Sequence, residues 1–165
     1  MIEVGQKLPE GTLKEFIDTE TEGCKLGPNE FKVGELTKGK KVVIFGLPGA
    51  FTPTCSAKHV PGYVQNFEQL KGKGVDEIWC VSVNDAFVMG AWGREQKTNG
   101  KVRMMADGGG DFTKALGLDQ TIPGMGVRSK RYAMVVQDGT VKSIDVEQPG
   151  KFEVSDAQSI LKRLA

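Results

Sequence analysis

The sequence predicts an α/β fold: a mixed β-sheet flanked by helices on both faces, preceded by an N-terminal β-hairpin. Three observations carry this. Short apolar, β-branched runs recur at residues 42–45, 77–83 and Arg103–Ala106, as expected of strands covered on both faces. Segments with helical spacing lie between them, the alternation that builds a sheet with helices on its faces. Near the end, Asp138-Gly139 separates two strand-like runs, 131–136 and Thr140–Val146, and such a dipeptide marks a tight hairpin.

The elements follow in order. Thr12–Ile17 and 24–33 alternate weakly and could pair as the first hairpin. A buried strand at 42–45 leads into a loop over 46–51. Thr52 and Pro53 then suit an N-cap and a first helical position. Val60, Val64, Phe67 and Leu70 follow as an apolar stripe, with Pro61 expected to kink the helix where it removes one backbone hydrogen bond. A strand at 77–83, a helix at 86–97, a strand at Arg103–Ala106 and a short helix at 112–118 come next. Residues 121–130 read as a Gly-rich loop. Ser155 and Gln158 look like a capping box that starts a last helix running to the end. The most economical fold for this order is thioredoxin-like.

A chain of 165 residues with 39% hydrophobic content suits a single domain over 1–165 with a sizeable core. Lys and Arg number 22 against 21 Asp and Glu, a net charge of +1, so there is no electrostatic case for nucleic acid or an anionic membrane. No apolar run is long enough to span a bilayer, and the first residues lack a signal-peptide core. The expectation is a protein of the reducing cytoplasm. Three cysteines are too few for a disulfide framework, so each is either a core residue or a reactive thiol.

Cys55 falls in the first turn of its helix, where unpaired N–H groups and the positive dipole end favour a thiolate. Thiols at such sites have pKa values of ~3.5–7.5 instead of ~8.5. Acidity alone gives little. A fall to ~6 raises the thiolate fraction at pH 7 about thirtyfold, but the loss of nucleophilicity takes back about tenfold. Most of the rate must come from orienting a second reactant and stabilising its developing charge, for which an arginine is the natural cation. Thr52 lies one turn back from Cys55, and Pro48 opens the loop, where it would limit water access.

The stretch Pro48-Gly49-Ala50-Phe51-Thr52-Pro53-Thr54-Cys55 matches the peroxiredoxin signature Pro-x-x-x-Thr-x-x-Cys. Its flanks, Val43-Ile44-Phe45-Gly46-Leu47 and Ser56-Ala57-Lys58-His59-Val60-Pro61-Gly62-Tyr63, resemble the type II, or peroxiredoxin-five, subfamily. So do Val81-Ser82-Val83-Asn84-Asp85-Ala86-Phe87-Val88-Met89 and Arg128-Ser129-Lys130-Arg131-Tyr132. The resemblance runs through nearly the whole chain. It implies a thioredoxin fold, no bound cofactor, often a homodimer, and a thiol peroxidase that reduces hydrogen peroxide and alkyl hydroperoxides. Carried over by motif, Cys55 is the peroxidatic cysteine, Thr52 bonds thiolate and peroxide, Pro48 shields the pocket and Arg131 is the pocket arginine, with Arg128 a weaker second.

Cys80 is open to two readings. Some type II members carry a second cysteine there, which would resolve Cys55 in a disulfide reduced by thioredoxin. Its place in mid-strand argues for burial, which leaves a one-cysteine cycle served by glutaredoxin and glutathione. Cys24, in the first hairpin, is expected to have no catalytic role. His59, the only histidine, reads as a structural or orienting residue, poorly aimed for a general base. The run from Gly34 to Lys41 nearly spells a P-loop but precedes a strand and lacks the final Ser or Thr. Asp107-Gly108-Gly109-Gly110-Asp111 reads as a strand-to-helix loop, and no Cys/His spacing suggests a metal site. A dithiol oxidoreductase would want Cys-x-x-Cys, and position 52 is Thr. A peroxide sensor using Cys55 fits the same residues.

Overall fold

The computed structural model describes residues 1–18 and 23–164. Residues 19–22 and 165 lie outside them. β1 (Thr12–Ile17) pairs antiparallel with β2 (Gly27–Lys32), a shorter strand than the 24–33 run suggests. Cys24 makes only an isolated bridge before it. α1 (Val33–Thr37) follows, then β3 (Lys41–Gly46). A π-helical turn (Cys55–His59), α2 (Val60–Gln65) and α3 (Phe67–Gly72) form one interrupted helical run. β4 (Glu77–Ser82), α4 (Ala86–Gln96), β5 (Arg103–Ala106) and α5 (Asp111–Leu116) come next. β6 (Asp119–Ile122) and β7 (Gly126–Ser129) make a small separate hairpin, and β8 (Tyr132–Gln137), β9 (Thr140–Val146) and α6 (Ala157–Leu164) complete the order.

Seven strands form one sheet in the order β2-β1-β5-β4-β3-β8-β9. β3, β4 and β5 are parallel and lie at its centre, while β8 runs antiparallel to β3. This is the thioredoxin-like mixed sheet, with the N-terminal hairpin added beyond β5. Strand alternation splits the core. Val43, Phe45, Cys80, Ala133 and Val135 pack against the helical run after Cys55, α4 and α6. Val42, Ile44, Trp79, Val81 and Met134 face the other way, toward α1 and α5. Both tryptophans are fully buried, as core residues. Among the described residues no helix is long and apolar enough to cross a membrane.

Four local expectations need correction. Residues 121–130 are not a plain loop. Gly124 and Gly126 have positive φ and turn the chain between β6 and β7. Pro61 does not simply kink a helix. The turn before it widens to π geometry, with Val60 N–H bonded to Cys55 C=O, and the helical run breaks at Asn66 instead. Ser155 and Gln158 form no capping box: Ser155 bonds Glu147, Gln158 bonds Asn66, and Asp156 receives the Ser159 N–H. The stretch from Gly34 to Lys41 includes α1, which the sequence did not suggest. Asp138 and Gly139 both adopt positive φ, as a two-residue hairpin turn requires.

Candidate active site

The sheet brings two distant segments to one edge. β3 and β8 are antiparallel with Gly46 opposite Tyr132, so the loop leaving β3 meets the residues that enter β8. Gly46 is needed there, because a Cβ would overlap the Tyr132 ring. The loop over 47–52 is pinned at several points. Asn84 Oδ1 accepts from Ala50 N–H at 2.9 Å and from Ser82 Oγ at 2.6 Å. Arg128 Nη1 donates to Pro48 C=O at 3.4 Å, and a Cβ on Gly49 would lie 2.7 Å from that nitrogen. Phe51 is held at φ 64°, a left-handed conformation that costs a non-glycine residue about 1–2 kcal/mol.

Cys55 follows in the first helical turn, fully buried. Arg131 Nη2 donates to its Sγ at 3.2 Å. Arg131 Nη1 lies 2.8 Å from His59 Nδ1, and the guanidinium rests 5.8 Å over the Phe152 ring. His59 Nε2 is 3.0 Å from Ser155 C=O, which also accepts from Tyr63 Oη at 2.8 Å. Burial first, and the Arg131 charge second, pull the His59 pKa from 6.5 to about 3, against the opposing pull of the Ser155 carbonyl. The imidazole is therefore neutral at pH 7. A cavity of about 820 Å³ opens in front of Arg131, lined also by Pro48, Thr54, Lys58 and Phe152. This constellation can hold a thiolate against a fixed cation beside space for a small oxidant.

The expected residues are thus gathered at one place: Cys55, Arg131 and Pro48, with Thr52 in the same loop. Thr52 differs in detail. Its hydroxyl donates to Gly49 C=O at 2.7 Å and does not cap the helix, so its hydrogen is engaged and its lone pairs remain to accept. Ala133 joins the core cluster that contains Cys55, so the alternation that places Arg131 and Ala133 on one face holds. Cys80 shares that cluster but is fully buried in the central strand β4, and all three cysteines are unbonded. Burial, and then the nearby Cys55 charge, push the Cys80 thiol well up. The Asp107 carboxylate accepts from Phe112 N–H and Thr113 N–H, filling the helix start that an anion would need.

The reading of His59 as a structural or orienting residue fits its contacts with Arg131 and Ser155, whereas sequence reasoning missed Asn84, Glu147 and Ser155. The signal for His59 was there, one turn after Cys55 on the same helix, but nothing local ties it to Arg131, 72 residues away.

The chain matches the Redoxin family model over residues 3–161. It is 48% identical to Peroxiredoxin-2B of Arabidopsis thaliana, an alignment covering 99% of this chain and 98% of that one. The structure of reduced Prx3 from Vibrio vulnificus in complex with hydrogen peroxide superposes with a TM-score of 0.93 at 50% identity, covering 100% of both chains. A Burkholderia cenocepacia structure, described as a suggested thioredoxin reductase, superposes with a TM-score of 0.99 at 66% identity, covering 100% of this chain and 99% of that one.

Proposed function

We propose, from the premise that this chain belongs to the Redoxin family and is a peroxiredoxin, that Cys55 is its peroxidatic cysteine and that glutaredoxin with glutathione restores it. The activity, a thiol peroxidase's reduction of hydroperoxides, comes with the family. The observation that carries the assignment of residues is the 3.2 Å contact from Arg131 Nη2 to Cys55 Sγ at the start of a helix.

The Cys55 thiolate attacks the terminal oxygen of ROOH. An S–O bond forms, the O–O bond breaks, and the sulfur gives up two electrons. The leaving hydroxide or alkoxide takes up, through solvent, the proton the Cys55 thiol released on ionising, and departs as water or alcohol. Arg131 faces the charge as it develops, and one such donor in a water-poor site is worth about 10²–10³ in rate. Thr52, with its hydrogen spent on Gly49, offers lone pairs to the peroxide O–H. Pro48 lines the approach. Cys55 leaves this step as a sulfenic acid, which condenses with a thiol to a disulfide and water. A second thiol then exchanges with that disulfide and frees Cys55.

Full burial of Cys55 means that its helical turn must open before a protein reductant can reach the sulfur. The raised pKa and central position of Cys80 make it a poor internal nucleophile, which favours an external thiol over a Cys55–Cys80 disulfide reduced by thioredoxin. Substrates are hydrogen peroxide and alkyl hydroperoxides, the setting is the cytoplasm, and the assembly is a homodimer of the type II kind.

Peptide mass mapping after one equivalent of peroxide and excess glutathione tests the cycle. The expected product is a glutathione adduct on Cys55, with glutaredoxin-driven turnover retained in Cys80→Ser. A Cys55–Cys80 bridge, with that variant inactive, would replace this cycle by the thioredoxin one. Sulfenic acid without turnover under any reductant would leave Cys55 as a sensor.

A further inference from the structure

The hydrogen bonds that aim Arg131 have their direction fixed at both ends. A guanidinium only donates and a backbone carbonyl only accepts. His59 stands between one of each, with Nδ1 at 2.8 Å from Arg131 Nη1 and Nε2 at 3.0 Å from Ser155 C=O. A ring that makes both contacts must carry its lone pair on Nδ1 and its hydrogen on Nε2. It is therefore neutral, and with both nitrogens occupied it has no site left to act as a base.

We propose that His59 is a positioning residue for peroxide reduction: it fixes Nη1 of Arg131 so that Nη2 faces Cys55, and being neutral it leaves the guanidinium's charge uncancelled. A carboxylate at this place would also orient the arginine, but would take up its charge. Among the described residues no carboxylate forms an ion pair with Arg131.

The anchor of the ring is itself held. Glu147 accepts from the N–H groups of Glu153, Val154 and Ser155 at 2.8–2.9 Å and from Ser155 Oγ at 2.7 Å. Glu147 N–H in turn donates to Arg131 C=O at 2.9 Å. The backbone and the side chain of Arg131 are thus tied to the same turn, and the circuit closes through His59. Phe45, Phe152 and Tyr63 pack around the imidazole, with ring centroids at 4.8, 5.0 and 5.7 Å.

This rests on the reading of Cys55 and Arg131 given above, and the test separates the two. His59→Asn keeps a carbonyl oxygen near the place of Nδ1, whereas His59→Gln reaches only toward the place of Nε2. Both lose the ring packing and should lose similar stability. The rate of Cys55 oxidation by hydrogen peroxide, followed by stopped-flow tryptophan fluorescence, should fall on the order of tenfold in His59→Gln. It should fall at least threefold less in His59→Asn, roughly the margin one retained hydrogen bond provides.

Equal rates in the two variants, or rates that only follow thermal stability, would overturn the proposal. So would a His59→Gln rate above that of His59→Asn. If neither variant folds, ¹⁵N NMR of wild-type His59 decides: the Nε2–H tautomer is expected at pH 6, and a proton on Nδ1 contradicts it. Cys55→Ser and Arg131→Met in the same assay guard the underlying reading. Their retention of activity would sink that reading, whereas their loss beside two unaffected position-59 variants would sink only this proposal.

Discussion

Arg131 and Arg103 stand at opposite ends of the sheet and look alike at first sight. Each lies over a phenylalanine, Phe152 at 5.8 Å and Phe31 at 5.1 Å. Each lines a cavity, about 820 Å³ for Arg131 and about 600 Å³ for Arg103. Their partners differ. Arg103 meets Glu15 at 2.7 Å and Glu77 at 2.9 Å, and Lys40 adds a further bond to Glu77 at 2.7 Å. Arg131 meets a neutral imidazole and a sulfur. One cation is cancelled by carboxylates and knits β1, β4 and β5 together. The other is held in place with its charge unspent. Hollow space and an arginine do not distinguish a site from a structural clamp, but the charge of the arginine's partners does.

The contrast can be broken at either end, and the largest effect belongs to the site. Cys55→Ser should reduce peroxide turnover to the uncatalysed background while leaving thermal unfolding close to wild type; residual catalytic turnover in a coupled assay would move the peroxidatic role elsewhere.

The next effect is on stability against pH. His59 is neutral in the fold, with a pKa of about 3, and protonates near 6.5 once unfolded. The unfolded chain therefore binds the extra proton. Stability is full above pH 6.5 and declines as pH falls toward 3, by about 1.4 kcal/mol per unit. Urea unfolding at pH 5 should show a loss of about 2 kcal/mol relative to pH 7, and His59→Gln should lack that loss. A wild-type protein equally stable at both values would refute the buried neutral ring. The far end contributes little between pH 5 and 7 and loses its own stabilisation only as pH falls below about 4.5. Burial works to raise the Glu77 pKa, but hydrogen bonds from Lys40, Trp79 and Arg103 outweigh it and hold it below 4.5, so the carboxylate stays ionised.

The smallest effect comes from that end. Glu77→Gln should cost about 1–2 kcal/mol in chemical unfolding and leave peroxide reduction unchanged. A large loss of rate in this variant would mean that the two ends are coupled.

The signature around Cys55 was legible because its parts are close in sequence: Pro48, Thr52 and Cys55 share one loop and one helical turn. The strands at 42–45, 77–83 and Arg103–Ala106 were legible because burial on both faces leaves a run of apolar residues. Arg131 was reached through a motif, and the Gly46–Tyr132 register brings it to within 3.2 Å of Cys55 Sγ. What stayed hidden is set by backbone detail within a segment or by distant contacts. The direction of the Thr52 hydroxyl follows from the fold of its loop around Gly49. The π turn is set by Pro61, which has no N–H to continue the α-helical ladder. The β6–β7 hairpin is four residues on each side, mostly polar and exposed, and left no alternating pattern. The circuit of His59, Ser155 and Glu147 joins three segments that no spacing rule connects.

The central claim is that an unspent positive charge at Arg131, and not arginine content or cavity volume, makes this edge of the sheet reactive. Rate constants for peroxide oxidation of Cys55 in Arg131→Met and Arg103→Met, measured side by side where both remain folded, test it most directly. The expected result is a fall of about 10²–10³ for Arg131→Met and a change within about twofold for Arg103→Met. Equal losses, or an Arg131→Met protein that reacts at the wild-type rate, would contradict it.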